Sequence, residues 1–89
     1  MNCLAILDSG NYVFGLCRAL EKRGYVFEVV SMPCHIATGG CGYCLKFPEE
    51  CMGMVLDEAR SNNFPVREIY RITPMFARNK YEKINRNNP

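Results

Sequence analysis

The sequence predicts a ferredoxin-like α+β sandwich, in which a four-stranded antiparallel sheet carries two helices on one face. Strand-like apolar runs and helix-like amphipathic runs follow one another in the order β-α-β-β-α-β. The chain has 89 residues, which suits one such domain and leaves no length for a second. We therefore place the domain at residues 1–73 and expect residues 74–89 to form a polar, partly flexible tail.

The first half of the pattern is a strand followed by a helix. Residues 3–7 form a continuous apolar run, which is typical of a central strand. Asp8 or Ser9 is expected to cap the next helix, which runs to about Arg23. Gly15 inside this helix costs about 1 kcal/mol relative to alanine, which indicates close packing at that position. Residues at helical spacing form its apolar face: Val13, Leu16, Cys17 and Leu20.

The second half supplies the other three strands. Residues 25–32 are rich in aromatic and β-branched side chains and predict a strand that Pro33 ends. Residues 43–47 alternate between apolar and other side chains, the pattern of a half-buried strand. A second helix is expected to begin at Pro48-Glu49-Glu50, and residues 66–72 form the fourth predicted strand.

Composition and charge exclude several classes of protein. A net charge of +2 is too small to indicate a nucleic-acid partner or an anionic membrane. No apolar run is long enough to span a membrane, and the N-terminus lacks the pattern of a signal peptide. We therefore expect a cytoplasmic protein whose six cysteines stay reduced and serve packing, metal binding or thiol chemistry.

The stretch from Pro33 to Phe47 concentrates reactive residue types. It holds three of the six cysteines, the only histidine and three of the seven glycines. In the predicted topology, residues 33–41 lie at the carboxyl end of the first strand, where the first helix begins. Cys41 would then face the amides of a helix N-terminus, which lower the pKa of a thiol. The residues proposed to form this binding loop are Ser9, Gly10, His35, Thr38, Gly39, Gly40 and Gly42.

The remaining cysteines are assigned by their place in the pattern. Strand alternation puts Cys44 opposite Tyr43 and Leu45, on the open face of the sheet, so it pairs with Cys41 only if Cys41 is still in the loop. Cys3 and Cys51 fall at the far end of the fold. Together with Cys17 they are predicted to be small buried residues.

Several of these residues resemble a known family. The chain is similar to the short bacterial proteins described as putative selenium/sulfur carriers, over roughly residues 3–72. The resemblance rests on Val66 to Ile72 as a closing strand and on nine earlier positions: Ser9, Pro33, Ile36, Gly40, Cys41, Gly42, Leu45, Lys46 and Phe47. Two positions depart from the family pattern, since Cys34 replaces a basic residue and Cys44 replaces a small apolar one.

The resemblance implies that Cys41 carries sulfur or selenium as a covalent persulfide or selenopersulfide. The implied partners are a donor protein and an acceptor protein, and the chain is more a carrier than a stand-alone enzyme. Cys44 or Cys34 could resolve the persulfide by forming a disulfide with Cys41. No other cofactor is implied.

Two other interpretations remain open. Cys34, His35, Cys41 and Cys44 supply the ligand types of a zinc site or a cluster scaffold, although adjacent residues seldom both reach one ion. Alternatively, the sheet is a docking module whose cysteines are incidental. In that case Tyr43, Tyr70 and Phe76 could form an apolar patch for a partner or a homodimer.

Overall fold

The computed structural model describes residues 1–33, 36 and 42–84 and shows a five-stranded antiparallel sheet with two helices. The sheet order is β2-β3-β1-β4-β5, with β1 in the centre. In chain order the elements are β1 (Asn2–Leu7), α1 (Gly10–Lys22), β2 (Glu28–Ser31), β3 (Tyr43–Pro48), a 3-10 turn (Glu49–Cys51), α2 (Met52–Ser61), β4 (Val66–Pro74) and β5 (Asn79–Ile84).

The ferredoxin-like class is confirmed, but the predicted number of strands is wrong. The first four strands have the expected order, and β5 pairs antiparallel with β4 at one edge of the sheet. β5 lies in the stretch that the sequence analysis assigned to a polar tail. Its side chains are exposed or half-buried throughout, so its sequence lacks the apolar alternation by which strands are recognised.

Both helices pack on the same face of the sheet, as predicted. Val13, Leu16 and Leu20 are the buried residues of α1, while Val55 and Ala59 are those of α2. These side chains share one core, the helix-side cluster, whose sheet members are Cys3, Ala5, Leu7, Leu45, Phe47 and Ile69. The odd-numbered residues of β1 thus bury the apolar faces of both helices.

A second, smaller apolar cluster lies on the opposite face of the sheet. This helix-free cluster contains Leu4, Ile6, Ile36 and Cys44, all buried. Five partly buried residues pack against it: Val30, Met32, Tyr70, Ile72 and Tyr81. β1 is therefore covered on both faces, which explains why its sequence is a continuous apolar run rather than an alternating one.

The strand directions place the carboxyl ends of β1 and β2 at the same end of the sheet. β1 is antiparallel to β3, and β3 is antiparallel to β2, so β1 and β2 run parallel. Ser9, at the start of α1, and Pro33, after β2, consequently follow strands that end on the same side. This is the arrangement that the sequence pattern predicted.

Candidate functional site

The cysteine segment, residues 33–42, connects β2 to β3, and its ends are held together. The amide of Met32 donates a hydrogen bond to the carbonyl oxygen of Gly42 at 2.9 Å. The next pair into the sheet is Ser31 opposite Tyr43, in the antiparallel ladder between β2 and β3. The two ends of the segment thus lie at neighbouring positions of the sheet.

Ile36 anchors this segment on the helix-free face. Its side chain is 6% exposed and belongs to the cluster with Leu4, Ile6 and Cys44. Its amide donates to the carbonyl oxygen of Pro33 at 3.2 Å, which forms a local turn. From the sequence, Ile36 was recognised only as one of the residues that carry the family resemblance. It is the only large aliphatic side chain between Met32 and Tyr43, and this was the available signal of an anchor.

The start of α1 is capped by Ser9, one of the two predicted capping residues. Its Oγ accepts from the amide of Tyr12 at 3.2 Å, and its carbonyl oxygen accepts from the amide of Val13. Asp8 instead forms an ion pair with Arg67, with 3.3 Å between Oδ1 and Nε. No acidic residue lies in the first turn of α1, so no carboxylate of that turn offsets the partial positive charge of the helix end.

Tyr43 brings the carboxyl end of the cysteine segment against this helix start. Its ring contacts that of Phe14 edge to face, with 5.6 Å between the ring centroids. A Cβ atom added to Gly10 would lie 3.7 Å from Cδ2 of Tyr43, so the Tyr43 ring lies close to Gly10. The predicted proximity of α1 and the segment is therefore found for Gly10 and for Tyr43, the residue after Gly42.

Cys44 lies on the predicted face of the sheet, but that face is not open there. Its side chain is 0% exposed in the helix-free cluster, whereas Tyr43 on the other face is 46% exposed. Alternation along β3 explains the direction in which Cys44 points. Cys44 is buried in a cluster with Leu4, Ile6 and Ile36, and a local sequence pattern does not reveal such a cluster. A reagent in solution cannot reach this thiol unless this cluster opens.

Of the three cysteines assigned to packing, Cys3 is buried as predicted, while Cys17 and Cys51 are less buried than predicted. Cys3 is fully buried, and Cys17 and Cys51 are partly buried against the helix-side cluster. Burial raises the pKa of the Cys3 thiol, and the nearby Glu49 carboxylate raises it further. Burial also raises the pKa of Cys17, whose Sγ is 3.5 Å from the carbonyl oxygen of Phe27. Raised pKa values reduce the thiolate fraction, so neither residue is an activated nucleophile.

Six predicted site residues lie outside the described residues: Cys34, His35, Thr38, Gly39, Gly40 and Cys41. Of the four residues in the alternative metal set, only Cys44 is described. Within residues 1–33, 36 and 42–84, no three His, Cys, Asp or Glu side chains are grouped closely enough to hold a metal ion.

The predicted apolar patch of Tyr43, Tyr70 and Phe76 does not form one surface. Tyr43 lies on the helix side of the sheet, whereas Tyr70 packs against the helix-free cluster. Phe76 is exposed in the β4–β5 turn, which the hydrogen bond from the Met75 amide to the Arg78 carbonyl oxygen closes at 2.8 Å. Similar side-chain chemistry therefore does not make these residues neighbours.

A comparison with protein-family models decides the relationship of this chain. The model for the family described as Putative Se/S carrier protein-like matches residues 2–71, which is most of the chain. The chain belongs to this Se/S carrier family. No curated protein and no solved structure gives a significant match.

Several residues that carry the resemblance to the Se/S carrier family have structural roles. Ser9 caps α1, Ile36 anchors the cysteine segment, and Leu45 and Phe47 are buried beneath the helices. The family match ends at Arg71, before β5 begins. Among the described residues, none of the helices has both the length and the apolar character needed to cross a membrane.

One groove lies beside Ile36 on the helix-free side. It has a volume of about 620 Å³ and runs between Ile36 and the β4–β5 hairpin. Its other lining residues are Tyr70, Met75, Arg78, Asn79, Lys80 and Tyr81. Most of them follow Arg71, so this groove is formed largely by the part of the chain outside the family match.

Proposed function

We propose that this protein carries sulfur or selenium as a persulfide or selenopersulfide on Cys41 and transfers it to an acceptor protein. Membership of the Se/S carrier family is the observation that carries the proposal. Cys41 is the cysteine of the Gly-Cys-Gly sequence on which the resemblance to that family rests. The protein would act between two partners, a donor and an acceptor, rather than turn over a substrate alone.

The surroundings of Gly42 support this choice of nucleophile. Gly42 follows Cys41 directly, and Tyr43 packs against Gly10 and Phe14 at the start of α1. A thiol next to a helix N-terminus ionises more readily, because the partial positive charge of the helix end stabilises the thiolate. The raised pKa values of Cys3 and Cys17 leave those residues poor competitors for a donor.

Loading is a transfer between two sulfur atoms. The thiolate of Cys41 attacks the terminal sulfur of a persulfide on the donor. A new S–S bond forms at Cys41, the S–S bond of the donor breaks, and the donor cysteine leaves as a thiolate. The reaction is neutral in electrons, so it needs no external oxidant. A selenium donor would form an S–Se bond by the same exchange.

Unloading can follow two routes. An acceptor nucleophile can attack the terminal atom and leave Cys41 as a thiolate. Alternatively, a second cysteine attacks the Sγ of Cys41, which forms an intramolecular disulfide and releases the terminal atom as hydrogen sulfide. Cys34 and Cys44 were the predicted resolving thiols. Burial in the helix-free cluster disfavours Cys44 in this role, and Cys34 lies outside the described residues. We propose direct transfer to the acceptor as the principal route.

Intact-protein mass spectrometry tests the proposal. The full chain is incubated with cysteine and a cysteine desulfurase, a donor enzyme that forms a persulfide, and is then desalted without reductant. We expect the wild-type protein to gain the mass of one sulfur atom, which dithiothreitol removes. Cys41→Ser should lose the added mass. Cys51→Ser is the matched control, because Cys51 is partly buried at the opposite end of the fold and should load normally.

Two results would contradict the carrier function. One is the absence of added sulfur on the wild-type protein when the desulfurase is active on cysteine. The other is undiminished loading of Cys41→Ser, since the sulfur would then be on another residue.

A further inference from the structure

The outer edge of β5 has no neighbouring strand within residues 1–33, 36 and 42–84. β5 is the last strand of the sheet, and it pairs with β4 along one edge only within the described part of the chain. A strand at the edge of a sheet presents amide and carbonyl groups that can bind another strand. Proteins commonly protect such edges, so the side chains along β5 indicate whether it excludes or accepts a partner.

The side chains of β5 divide cleanly between the two faces of the sheet. Tyr81 packs with the helix-free cluster, and Ile84 packs with the helix-side cluster. Because successive residues of a strand alternate, Lys80 and Glu82 lie on the helix side and Lys83 on the helix-free side. Lys80 has no ion-pair partner among residues 1–33, 36 and 42–84.

Pairing with a second copy is restricted to a few registers. When two identical strands pair antiparallel about a two-fold axis through the sheet, opposing residues share a face, so the axis passes through one residue and its copy. An axis at Lys80, Glu82 or Lys83 places two like charges directly opposite each other, which is destabilising. An axis at Asn79 places Arg78 opposite Lys80, also two like charges.

The remaining register within the charged part of the strand is centred on Tyr81. In this register, Lys80 of each copy is opposite Glu82 of the other copy, and the two Tyr81 residues are opposite each other. On the helix side the new pairs extend an existing row, because Arg71 is opposite Glu82 within one chain and is itself paired with Glu49. On the other side the two Tyr81 rings would extend the apolar surface of the helix-free clusters.

We propose that two copies of this chain pair through the outer edges of β5, centred on Tyr81, and form one continuous sheet. The surface belongs to a part of the chain beyond the family match, and its use does not depend on the proposed carrier function. The two-fold axis places both helix layers on one side of the joined sheet and both helix-free faces on the other.

The pairing would complete the groove beside Ile36. Asn79 and Tyr81, which line this groove, lie on the edge strand. In the register centred on Tyr81, Lys83 of the second copy is opposite Asn79, on the same side of the sheet. The second copy would thus add the cationic side chain of its Lys83 to the rim of the groove near Asn79.

Charge exchange at two positions provides the test. The full chain is studied in reductant by analytical ultracentrifugation over a range of concentrations, with circular dichroism to verify the fold. We expect a concentration-dependent dimer for the wild type. In the Lys80→Glu dimer, the new glutamate of each copy faces Glu82 of the other copy. In the Glu82→Lys dimer, the new lysine of each copy faces Lys80 of the other copy. Each variant should weaken dimerisation at least tenfold, about 1.4 kcal/mol.

The matched control mixes the two variants in equal amounts. Each pair in the mixed dimer again joins a Glu to a Lys, so dimerisation should return to within about threefold of the wild type, or roughly 0.65 kcal/mol. The double variant K80E/E82K should recover in the same way. Glu82→Lys also removes the hydrogen bond from Thr73 Oγ1 to Glu82, 3.1 Å long, whereas Lys80→Glu retains it. The two single variants thus separate charge repulsion from a local structural effect.

The proposal is overturned if the wild type is monomeric at every concentration tested. It is also overturned if a dimer forms whose affinity neither single variant changes, because another surface would then be responsible. A third contrary result is repulsion in the single variants without recovery in the mixture. None of these results affects sulfur loading of Cys41, so the two proposals can fail separately.

Discussion

Glu49 and Arg71 form a two-point ion pair at the end of the sheet opposite the cysteine segment. Nε of Arg71 lies 2.9 Å from Oε1 of Glu49, and its Nη2 bonds Oε2 of the same carboxylate. Each side chain is about one-third exposed, so solvent screens the pair. The hydrogen bonds from Arg71 nonetheless hold the pKa of Glu49 below its usual value, with a further Coulombic contribution from Arg71.

This contact predicts a dependence of stability on pH. Because the pKa of Glu49 is lower in the folded state, the pair stabilises the fold above the unfolded-state pKa of about 4.3, and its contribution is lost as pH falls below that value. Glu49→Gln should therefore lower the free energy of unfolding at pH 7 and have a diminishing effect below about pH 4. Urea titrations from neutral to acid pH measure this difference.

Glu50→Gln is the control for that experiment. It removes the same charge from the adjacent residue, which has no ion-pair partner in the described ranges. Parallel stability curves for the wild type and Glu49→Gln across the acid range would show that the Arg71 contact contributes nothing to the pH dependence.

Single residues also mark the limit of what the sequence predicts. The face of the sheet on which Cys44 lies was predictable, because side chains alternate between the two faces of any strand. Its burial depends on Ile36, which is held against it by the path of the chain rather than by a local pattern. The capping role of Ser9 was predictable because an N-cap interaction spans only a few residues.

At the scale of elements, α1 packs so closely against the chain after α2 that Gly15 has no room for a side chain. A Cβ atom at Gly15 would lie 2.8 Å from Cζ of Phe64, closer than carbon atoms normally approach. Phe64 is held in place by Tyr12, with 5.7 Å between the ring centroids. The close packing that the sequence indicated at Gly15 is confirmed.

Two alanine substitutions in the helices should therefore have opposite effects. Gly53→Ala in α2 meets no atom within 4 Å and should stabilise the fold by roughly 0.5 to 1 kcal/mol through helix propensity. Gly15→Ala has the same propensity gain but must displace Phe64, so we expect a net loss of about 1 kcal/mol. Chemical denaturation measures both values. Equal stabilisation by the two changes would mean that Phe64 moves aside at no cost.

The helices and β3 were recognised by the periods that burial imposes, whereas β1 was recognised by its continuous apolar run and β2 by its aromatic and β-branched residues. α1 has apolar residues at three- and four-residue spacing, and β3 alternates. β5 has neither pattern, because an edge strand with polar side chains is stabilised mainly by backbone pairing to β4. Its existence depends on the ladder from Ile69 to Pro74, which the sequence of β5 alone does not encode.

At the scale of the whole molecule, the sheet separates two cores of unequal size, and the smaller one is covered by Ile36. Ile36→Ala should expose the helix-free cluster and lower the free energy of unfolding by about 2 kcal/mol, the lower end for removing a buried isoleucine. The Cys44 thiol should then react faster with iodoacetamide under native conditions. Alkylation followed by peptide mass spectrometry identifies the modified cysteine.

Val26→Ala is the matched control for the loss of Ile36. Val26 is 79% exposed, so its truncation removes a similar apolar group without uncovering a core. If Cys44 reacts equally slowly in both variants, Ile36 is not the cover of this thiol.

The topology explains why the approach of Tyr43 to the start of α1 was predictable, whereas the packing of Ile36 was not. A β-α-β order fixes which ends of strands meet, so the proximity of Gly10 and Tyr43 follows from the order of elements. The same order of helices and strands permits several paths for the chain after β2, and only some of them pack Ile36 against the sheet. Physical complementarity with Leu4 and Ile6 makes that choice.

The central place of β1 has a consequence for the synthesis of the protein. Its two partners are β3 and β4, which are encoded much later in the chain. While the ribosome extends the chain, β1 has no strand to pair with until Tyr43–Pro48 emerges, and its second edge is paired only after Val66–Pro74 emerges. The cysteine segment is therefore translated before the sheet that holds its ends is complete. Its thiols meet the cellular redox environment first as part of an unfolded chain.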